Sequence, residues 1–525
     1  MSESPTFPVE MRDIRLRGAS PASKKAQSPA ANASRLREKV AEGVATSTRR
    51  LMKVAGLTLF AVIFLFAFLG WPMFVIEDEA THRKILTALF LTGIGLVALE
   101  DVIRLDKSAI MLVLASVMWT FHAAQHHPTK SHEGHEHLHH ELSKGLTDVG
   151  SVILFLLPAM GIVESIDHMD GFGVVTSFIV RRTQSRPGLL MPLVCTLAFF
   201  LSSLIDNLTA TIVCIKILKR VVPHNQDWRH SCGGVVVVAA NAGGAWSPIG
   251  DVTTTMLWIQ HKISTFGTVV WLFFPSLVAG FVPLFGIWWQ AKRHQRNKPK
   301  EDHCGIAELA PVEGRSKATL IIGMCCILAV PVVKMVTGLP PYLGMMMALG
   351  VFWLVSEICG LAQAKDDLES GPDAHGGQGV PAALHKVDLS SLLFFTGVLL
   401  GVAALESAEV LSRYAKFMDK ATHGSTILLS SLLGISSAVV DNVPLVQASI
   451  EMFEDPTDSQ LWQLVALAAG TGGSMLAVGS VAGVTLMGLE GVGFLWYARR
   501  VSPWAAMGYA LGLATYVAQR TWVPL

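Results

Sequence analysis

Two Asp-Asn pairs lie in the middle of long apolar stretches, one pair in each half of the chain. They are Asp206-Asn207 and Asp441-Asn442, and a serine stands four positions before each aspartate. A carboxylate near the centre of a bilayer costs roughly 2.5–3.5 kcal/mol even on a lenient insertion scale. Because that cost recurs at matched points of the two halves, the sequence predicts a duplicated site for an ion.

A second pair of matched motifs follows the Asp-Asn pairs along the chain. The string from Asn241 to Asp251 parallels the string from Gly470 to Ser480, and each interrupts a long apolar span with paired glycines, the first also with Pro248. Backbone groups freed by such breaks are tolerated at membrane depth only where they line a cavity or bind a ligand. Two broken helices beside two hairpin tips predict a binding chamber.

The residues of these motifs offer oxygen ligands to a small cation. Carboxylate, amide and hydroxyl oxygens suit hard cations and not soft metals. Carboxylates that repel one another in a poorly solvated place disfavour ionisation, so a proton and a cation compete for the same oxygens. This competition predicts exchange chemistry. The candidates are Asp206, Asn207, Asn241, Asp251, Asp441 and Asn442, with Ser202, Ser203, Ser247, Thr253, Thr254, Ser437 and Ser480 as neutral supplements.

Each acidic candidate also has an ordinary structural explanation. An aspartate at a hairpin tip can cap a half-helix. Asp251, whose partner in the second half is Ser480, can cap the half-helix that runs to Trp258. The repetition of the whole pattern favours function over capping. Glu164 and Glu406, near the ends of equivalent spans, are candidates for ion pairs with basic loop residues or for a proton relay.

Composition indicates an all-α polytopic membrane protein that positions these residues. The chain is 51% hydrophobic and 15% charged, whereas about 25% charged is usual for soluble proteins. Many runs reach the ~20 apolar residues that a membrane crossing needs. The balance of 41 Lys+Arg against 40 Asp+Glu gives no reason to expect a nucleic-acid partner. Seven cysteines without CxxC spacing argue against a disulfide framework or structural zinc, and we expect no cofactor.

The expected architecture has about 11 transmembrane helices and two inverted repeats, each with a re-entrant hairpin and a broken helix. A disordered basic tail (1–50) and a first transmembrane helix (51–72) precede the repeats. Repeat 1 covers 85–290, with its hairpin at about 187–218 and its broken helix at about 233–260. A cytoplasmic linker (291–316) leads to repeat 2 (317–525), with its hairpin at about 425–452 and its broken helix at about 461–489.

The loop charges support re-entrant hairpins. Arg181 and Arg182 precede the segment 187–218, and Lys219 and Arg220 follow it, so the positive-inside rule puts both of its ends in the cytoplasm. A single crossing cannot begin and end on one side. Two arms of roughly 12–15 residues, about 18–22 Å each, can reach the midplane and return. The second hairpin then enters from the opposite face.

These motifs resemble those of the NhaD-type sodium/proton antiporters of the ion-transporter superfamily. Residues 203–209, 241–258 and 437–446 carry the resemblance, which runs from about Ile85 to the C-terminus. It implies a fold similar to the divalent anion/sodium (sodium/dicarboxylate) symporters, a homodimer with scaffold and transport domains, and elevator-like movement. It also implies ion binding by Asp206, Asn207, Thr209, Asn241, Asp251, Thr253, Thr254, Ser437, Asp441 and Asn442.

We therefore expect Na⁺(Li⁺)/H⁺ antiport by a multi-pass protein of the cell membrane, with an organellar membrane as the alternative. The expected partners are Na⁺, Li⁺, H⁺, the lipid bilayer and a second copy of the chain. A sodium-coupled carboxylate or oxyanion transporter on the same fold is the alternative function. Such a site would favour neutral hairpin tips or a basic residue in the chamber, and here both tips carry an aspartate.

A histidine-rich loop is predicted between the third and fourth spans. The string from His135 to His139 satisfies HExxH, the pattern of zinc proteases. A membrane zinc metalloprotease is thus the remote alternative, although no helix with an apolar face is predicted there. His135, His137 and His139 remain candidates for a transition metal, and the loop could also sense pH.

Overall fold

A computed structural model describes residues 78–98, 105–125, 132–184, 187–223, 225–295, 314–361, 379–439 and 441–522. All regular elements within these ranges are helical. The predictions for 1–50 and for 51–72 lie outside the described residues. The helices are α1 Glu79–Ala98, α2 Lys107–Gln125, α3 His132–His168, α4 Gly173–Gln184, α5 Leu190–Ser202, α6 Asn207–Val221, α7 Gln226–Ala245, α8 Val252–Ile259, α9 Thr265–Gln295, α10 Gly314–Thr337, α11 Pro341–Ile358, α12 Val380–Leu384, α13 Leu389–Ser407, α14 Val410–Ala421, α15 Thr426–Ser436, α16 Asn442–Met452, α17 Gln460–Gly472, α18 Val481–Glu490, α19 Phe494–Arg500 and α20 Ser502–Trp522.

Six of the described helices are long and apolar enough to cross a membrane, or seven if the bent pair α18 and α19 is one span. The six are α2, α3, α9, α10, α11 and α13. Large apolar side chains face outward, as at Val336 (79% exposed) and Ile358 (84% exposed). A soluble protein rarely presents so much apolar surface. The chain is an integral, multi-pass membrane protein.

The four apolar segments with special motifs are all interrupted. The first Asp-Asn segment consists of α5 and α6 with a break at 203–206, and the second consists of α15 and α16. The two Gly-rich segments consist of α7 with α8 and of α17 with α18. Each interruption leaves a helix N-terminus in the interior of the protein, and each of these four N-termini begins directly after an aspartate or a serine.

Helix packing repeats between the two halves of the chain. The first helix of each Asp-Asn segment packs on the Gly-rich segment of its own half, α5 on α7 and α15 on α17. The second arm packs on the far part of the other half's broken helix, α6 on α18 and α16 on α8. In the same way α2 packs on α13, and α11 packs on α3. This exchange brings the two hairpin tips to the two breaks.

Paired glycines allow the hairpins to approach the broken helices closely. A Cβ atom at Gly243 would lie 2.1 Å from the carbonyl oxygen of Phe199, and one at Gly472 would lie 2.1 Å from that of Gly434. No side chain fits at either position. The sequence-based interpretation of the glycine pairs as breaks is confirmed in the second half, where α17 ends at Gly472 and a 3₁₀ turn begins at Gly473. It is wrong in the first half, where α7 continues to Ala245. Gly243 and Gly472 have a further role. They serve close helix contact, as small residues do between membrane helices.

Replacing Gly472 by alanine is expected to destabilise the protein. The new methyl group would meet a backbone oxygen, and overpacking of this kind costs about 1–3 kcal/mol. Gly488→Ala on the neighbouring helix α18 is the matched control, since a Cβ there has nothing within 4 Å. Both substitutions gain the same helix propensity. The melting temperature of the purified protein should fall for Gly472→Ala only, and equal melting temperatures would contradict the close contact.

The predicted histidine loop is wrong from His132 onward. These residues form the first turns of α3, which continues into the apolar span as one helix of 37 residues. Extending an existing helix costs far less than nucleating one, and the stretch before Leu138 contains no proline to stop it. The predicted linker 291–316 is also shorter, because α9 reaches Gln295 and α10 begins at Gly314.

Candidate functional site

The first Asp-Asn pair lies at the turn between α5 and α6. Asp206 caps α6, since its Oδ1 accepts a hydrogen bond from the backbone N–H of Thr209 (2.9 Å) and its Oδ2 accepts one from the Thr209 hydroxyl (2.7 Å). Such a cap satisfies donors that the helix leaves open. Asn207 is buried, and its Nδ2 donates to Oδ1 of Asn241 at 3.0 Å. Capping therefore accounts for Asp206 but not for Asn207.

The second Asp-Asn pair differs from the first. Asp441 occupies the N-cap position of α16, but its side chain makes no capping hydrogen bond. Its buried Oδ1 has no hydrogen-bond partner among the described residues. A buried acceptor without a donor costs about 1–3 kcal/mol, and more when charged, so a proton or a cation at this oxygen would relieve the cost. Asn442 is buried, and its Nδ2 donates to Oδ2 of Asp251 at 3.0 Å.

Asp251 lies at the first break, directly before α8. Its Oδ2 accepts the Asn442 amide and also the hydroxyl of Thr253 at 2.8 Å. The backbone N–H of Asp251 donates to Oγ1 of Thr254, and that hydroxyl contacts the carbonyl oxygen of Gly244 at 3.3 Å. Asp251 is buried, with only 3% of the residue's surface exposed. The Asp-x-Thr-Thr element thus holds one carboxylate in a fixed orientation.

Ser480 takes the corresponding place at the second break. Its Oγ accepts from Nδ2 of Asn241 at 2.9 Å. The first tip therefore reaches Ser480 through the chain Asn207–Asn241–Ser480, and the second tip reaches the first break directly through Asn442 and Asp251. We call these five residues, with Asp206 and Asp441, the polar network. It contains two hydrogen-bonded groups, Asn207–Asn241–Ser480 and Asn442–Asp251, and each group links one Asp-Asn turn to the break of the other half.

The remaining predicted oxygen ligands, four serines, differ in burial and in hydrogen-bond partners. Ser202 is fully buried and its hydroxyl has no partner among the described residues, whereas Ser437 donates to the carbonyl oxygen of Ala469 at 3.0 Å. Ser203 and Ser247 bond to backbone groups of their own turns. These two serines are satisfied locally and make no hydrogen bond to the polar network within the described part of the chain.

Glu164 and Glu406 lie away from the polar network. Glu164 is in the last turn of α3, one turn before His168. Glu406, near the end of α13, lies 2.6 Å from Nζ of Lys144. An ion pair was one of the two roles that the sequence left open for Glu406, and the geometry gives it that contact.

The described side chains do not test the metal site that is predicted at the histidines. Among the described side chains, no group of three His, Cys, Asp or Glu residues could hold a metal ion. His139 is exposed on α3. The side chains of His135 and His137 lie outside the described set, so the predicted metal role for them is untested.

A cavity lies beside the first tip and the first break. Asp206 and Asp251 both line it, and Asp441 is not among its lining residues. The facing wall is apolar and comes from α3, α10 and α11, with Phe155, Met160, Val163, Ile327 and Met345. Electrostatic interactions are stronger where apolar walls keep water away. Two of the three carboxylates therefore line one cavity.

Sequence reasoning missed that each tip contacts the opposite half. The hydrogen bond between Asn442 and Asp251 joins residues 191 positions apart, and such a contact leaves no local signal in a single sequence. The apolar wall from Ile327 and Met345 was also not predicted, because these residues look like ordinary lipid-facing positions of their spans. The sequence shows which polar residue types are present, but it does not show which residues they contact.

The chain is similar to known transporters along most of its length. The family model described as citrate transporter (CitMHS) matches residues 51–472. Sodium/proton antiporter 1 of Arabidopsis thaliana is 41% identical over 84% of this chain and 73% of that protein. Sodium/proton antiporter 2 of the same plant is 39% identical over 82% and 98%. The Na(+)/H(+) antiporter NhaD of Alkalimonas amylolytica is 28% identical over 82% and 89%.

Proposed function

The chain belongs to the citrate transporter (CitMHS) family and to the NhaD-type sodium/proton antiporters, and on this premise we propose that it exchanges Na⁺ for H⁺ across a membrane. The observation that carries the proposal is the polar network, in which Asp251 bonds to Asn442 and a buried oxygen of Asp441 has no partner among the residues that the structure describes. Because these families consist of transporters, the metalloprotease alternative is wrong.

Competition at buried carboxylates would couple the two ions. A carboxylate in a poorly solvated place is stable when it holds a proton or when a cation lies against it, and it is costly when bare. Asp206, Asp251 and Asp441 fit this requirement, with the hydroxyl oxygens of Thr209 and Thr253 beside Asp206 and Asp251 as neutral ligands. Binding of Na⁺ would expel the proton, and binding of the proton would expel Na⁺. We propose Li⁺ as a second cation that the same oxygens accept.

Alternating access would follow from two inverted repeats. The exchanged packing of the second hairpin arms on the opposite broken helices supports such repeats and is typical of secondary transporters with discontinuous helices. Movement of the hairpins and broken helices past α3, α10 and α11, the apolar wall of the cavity, would open the site to either side. We propose this elevator-like movement, in a homodimer, as the transport step.

The charges of one face support the proposed orientation. The end of α3 contacts α6 through the ion pair of Asp167 with Lys216. It contacts the segment before α13 through His168 and Lys386. Ser316 at the start of α10 bonds to the carbonyl oxygen of Met169, directly after α3. These ends therefore share one face of the protein. Basic residues on it include Lys216, Lys219, Arg220, Arg315, Lys317 and Lys386. By the positive-inside rule this face would be cytoplasmic.

A sodium-coupled carboxylate transporter is the second candidate. The description of the matching family as citrate transporter favours it. The charge of the polar network argues against it, because three aspartates would repel an anionic substrate. Within the described residues, no lysine or arginine bonds to the polar network.

An assay with acid-loaded proteoliposomes distinguishes the two functions. Na⁺, Li⁺, K⁺ and citrate are added in turn, and the internal pH is followed with a fluorescent dye. We expect Na⁺ and Li⁺ to dissipate the gradient, and K⁺ and citrate to leave it unchanged. Uptake of labelled citrate that needs Na⁺, without any Na⁺-dependent change of internal pH, would instead identify the carboxylate transporter.

A further inference from the structure

Helix α3 makes ion pairs with both hairpins, one toward each end of its apolar part, Leu138–His168. Toward the first end, Nζ of Lys144 lies 2.6 Å from Glu406 on α13 and 3.9 Å from Glu451 in the last turn of α16. Near its end, Asp167 lies 2.6 Å from Nζ of Lys216 on α6. At 1.5 Å per residue, Lys144 and Asp167 are roughly 35 Å apart along the helix. This distance is close to the ~30 Å thickness of the hydrocarbon core.

Each ion pair holds the second arm of a hairpin at the end away from its Asp-Asn pair. Arm α6 begins at Asn207 and carries Lys216 five residues before its last residue, and arm α16 begins at Asn442 and ends one residue after Glu451. Both second arms are therefore tied to the same helix, toward the two ends of its apolar part. Helix α3 also forms part of the apolar wall facing Asp206 and Asp251.

The two ion pairs are unequal in this conformation. The pair Lys216–Asp167 is closed at 2.6 Å, whereas Lys144 makes its short contact with Glu406 and stands 3.9 Å from Glu451. The lysine side chains are about half exposed (50% and 47%). Water reaches both lysines, although the Glu451 side chain is only 10% exposed, and ion pairs of a water-exposed lysine are weak. Such contacts can open and close in every transport cycle without trapping the protein in one state.

We propose that the pairs Lys216–Asp167 and Lys144–Glu451 are alternating latches that hold the hairpins at the two ends of their movement along α3. In the present conformation the first latch is closed. When the hairpins move, Lys216 leaves Asp167, and Lys144 passes from Glu406 to Glu451. The proposal rests on the proposed function, because only a transporter that alternates access needs both latches.

A reversible cross-link tests the first latch. Lys216→Cys/Asp167→Cys is prepared in a chain whose native cysteines are replaced by alanine, reconstituted, and bridged with a short bis-methanethiosulfonate. We expect Na⁺/H⁺ exchange before bridging, its loss to the level of protein-free vesicles after bridging, and its return with a reducing agent. Ser108→Cys/Ser390→Cys is the matched control, because these hydroxyls lie 2.8 Å apart between α2 and the start of α13. Bridging this control should leave exchange unchanged.

The outcomes distinguish the latch from antiport itself. Exchange that survives bridging of Lys216→Cys/Asp167→Cys would overturn the latch and leave the antiporter intact. If the cysteine variant exchanges no cation even before bridging, the charge swap Lys216→Asp/Asp167→Lys is measured instead, because it restores the ion pair. We expect the swap to exchange faster than Lys216→Asp alone, and equal rates would also overturn the latch.

Discussion

Asp441→Asn is expected to abolish Na⁺-dependent dissipation of a pH gradient in proteoliposomes. The buried Oδ1 of Asp441 has no donor among the described residues, so a proton or a cation at this oxygen would supply the missing partner. Asparagine has nearly the same shape and caps helices as well as aspartate does, but it neither binds a proton nor carries a negative charge. Exchange should fall to the level of protein-free vesicles while the protein remains folded.

A capping aspartate outside the polar network provides the matched control. Asp388 caps α13 by accepting hydrogen bonds from the backbone N–H (3.2 Å) and the hydroxyl (2.6 Å) of Ser391. Asp388→Asn makes the same chemical change at a cap and should leave exchange close to the wild-type rate. If Asp441→Asn exchanges as fast as Asp388→Asn, the carboxylate of Asp441 takes no part in ion exchange.

Asp206→Asn is the more discriminating companion of this variant. Both carboxylate oxygens of Asp206 accept hydrogen bonds from Thr209, as in an ordinary cap, yet the residue also lines the cavity with Asp251. We expect exchange to be lost here as well, because the carboxylate faces the enclosed space. Retained exchange in Asp206→Asn alone would restrict its role to capping, and retained exchange in both variants would reject carboxylate competition.

Asp251→Asn is expected to have an effect as large as Asp441→Asn. Asp251 contacts the second tip through Asn442 and shares a cavity with Asp206 of the first tip, so its charge acts on both parts of the site. An asparagine would also place an amide group opposite the Nδ2 donor of Asn442. The measurement is uptake of labelled Na⁺ driven by an outward proton gradient, and we expect no uptake above that of protein-free vesicles.

A graded variant separates the charge of Asp251 from its orientation. Thr253→Val removes one of the two side-chain donors to Oδ2 and keeps the carboxylate. A hydrogen bond to a charged group is worth about 1.5–3 kcal/mol, and 1.4 kcal/mol is a factor of ten. The Na⁺ concentration for half-maximal exchange should therefore rise about tenfold or more.

Full activity of Asp251→Asn would instead mean that Asp251 only caps α8, the structural alternative that the sequence left open.

The positions of the hairpin tips and breaks could be predicted from the sequence because they depend on local rules. Asp206, Asp251, Asp441 and Ser480 each stand directly before a helix, as residues with short polar side chains do at N-caps. Six of the predicted spans, α2, α3, α9, α10, α11 and α13, could be predicted for a similar reason, since length and composition decide whether a helix can cross the bilayer. The expected total of about 11 stays a prediction.

The parts that escaped prediction depend on contacts between distant segments. The role of Gly243 and Gly472 in helix contact requires knowledge of Phe199 and Gly434 on other helices. The helical state of the histidine-rich stretch depends on continuation of α3 and not on its own polar composition. The amphipathic helix α14 and the short α12 were missed because neither has an apolar run of transmembrane length.

Proton release on cation binding tests the central claim most directly. Purified protein in detergent, in weakly buffered solution near neutral pH, is mixed with NaCl, and the protons released are counted with a pH indicator. We expect acidification in proportion to the protein, saturating with Na⁺, none with choline chloride, and none from the double variant Asp251→Asn/Asp441→Asn. Saturable Na⁺ binding by the wild-type protein without any release of protons would contradict the account.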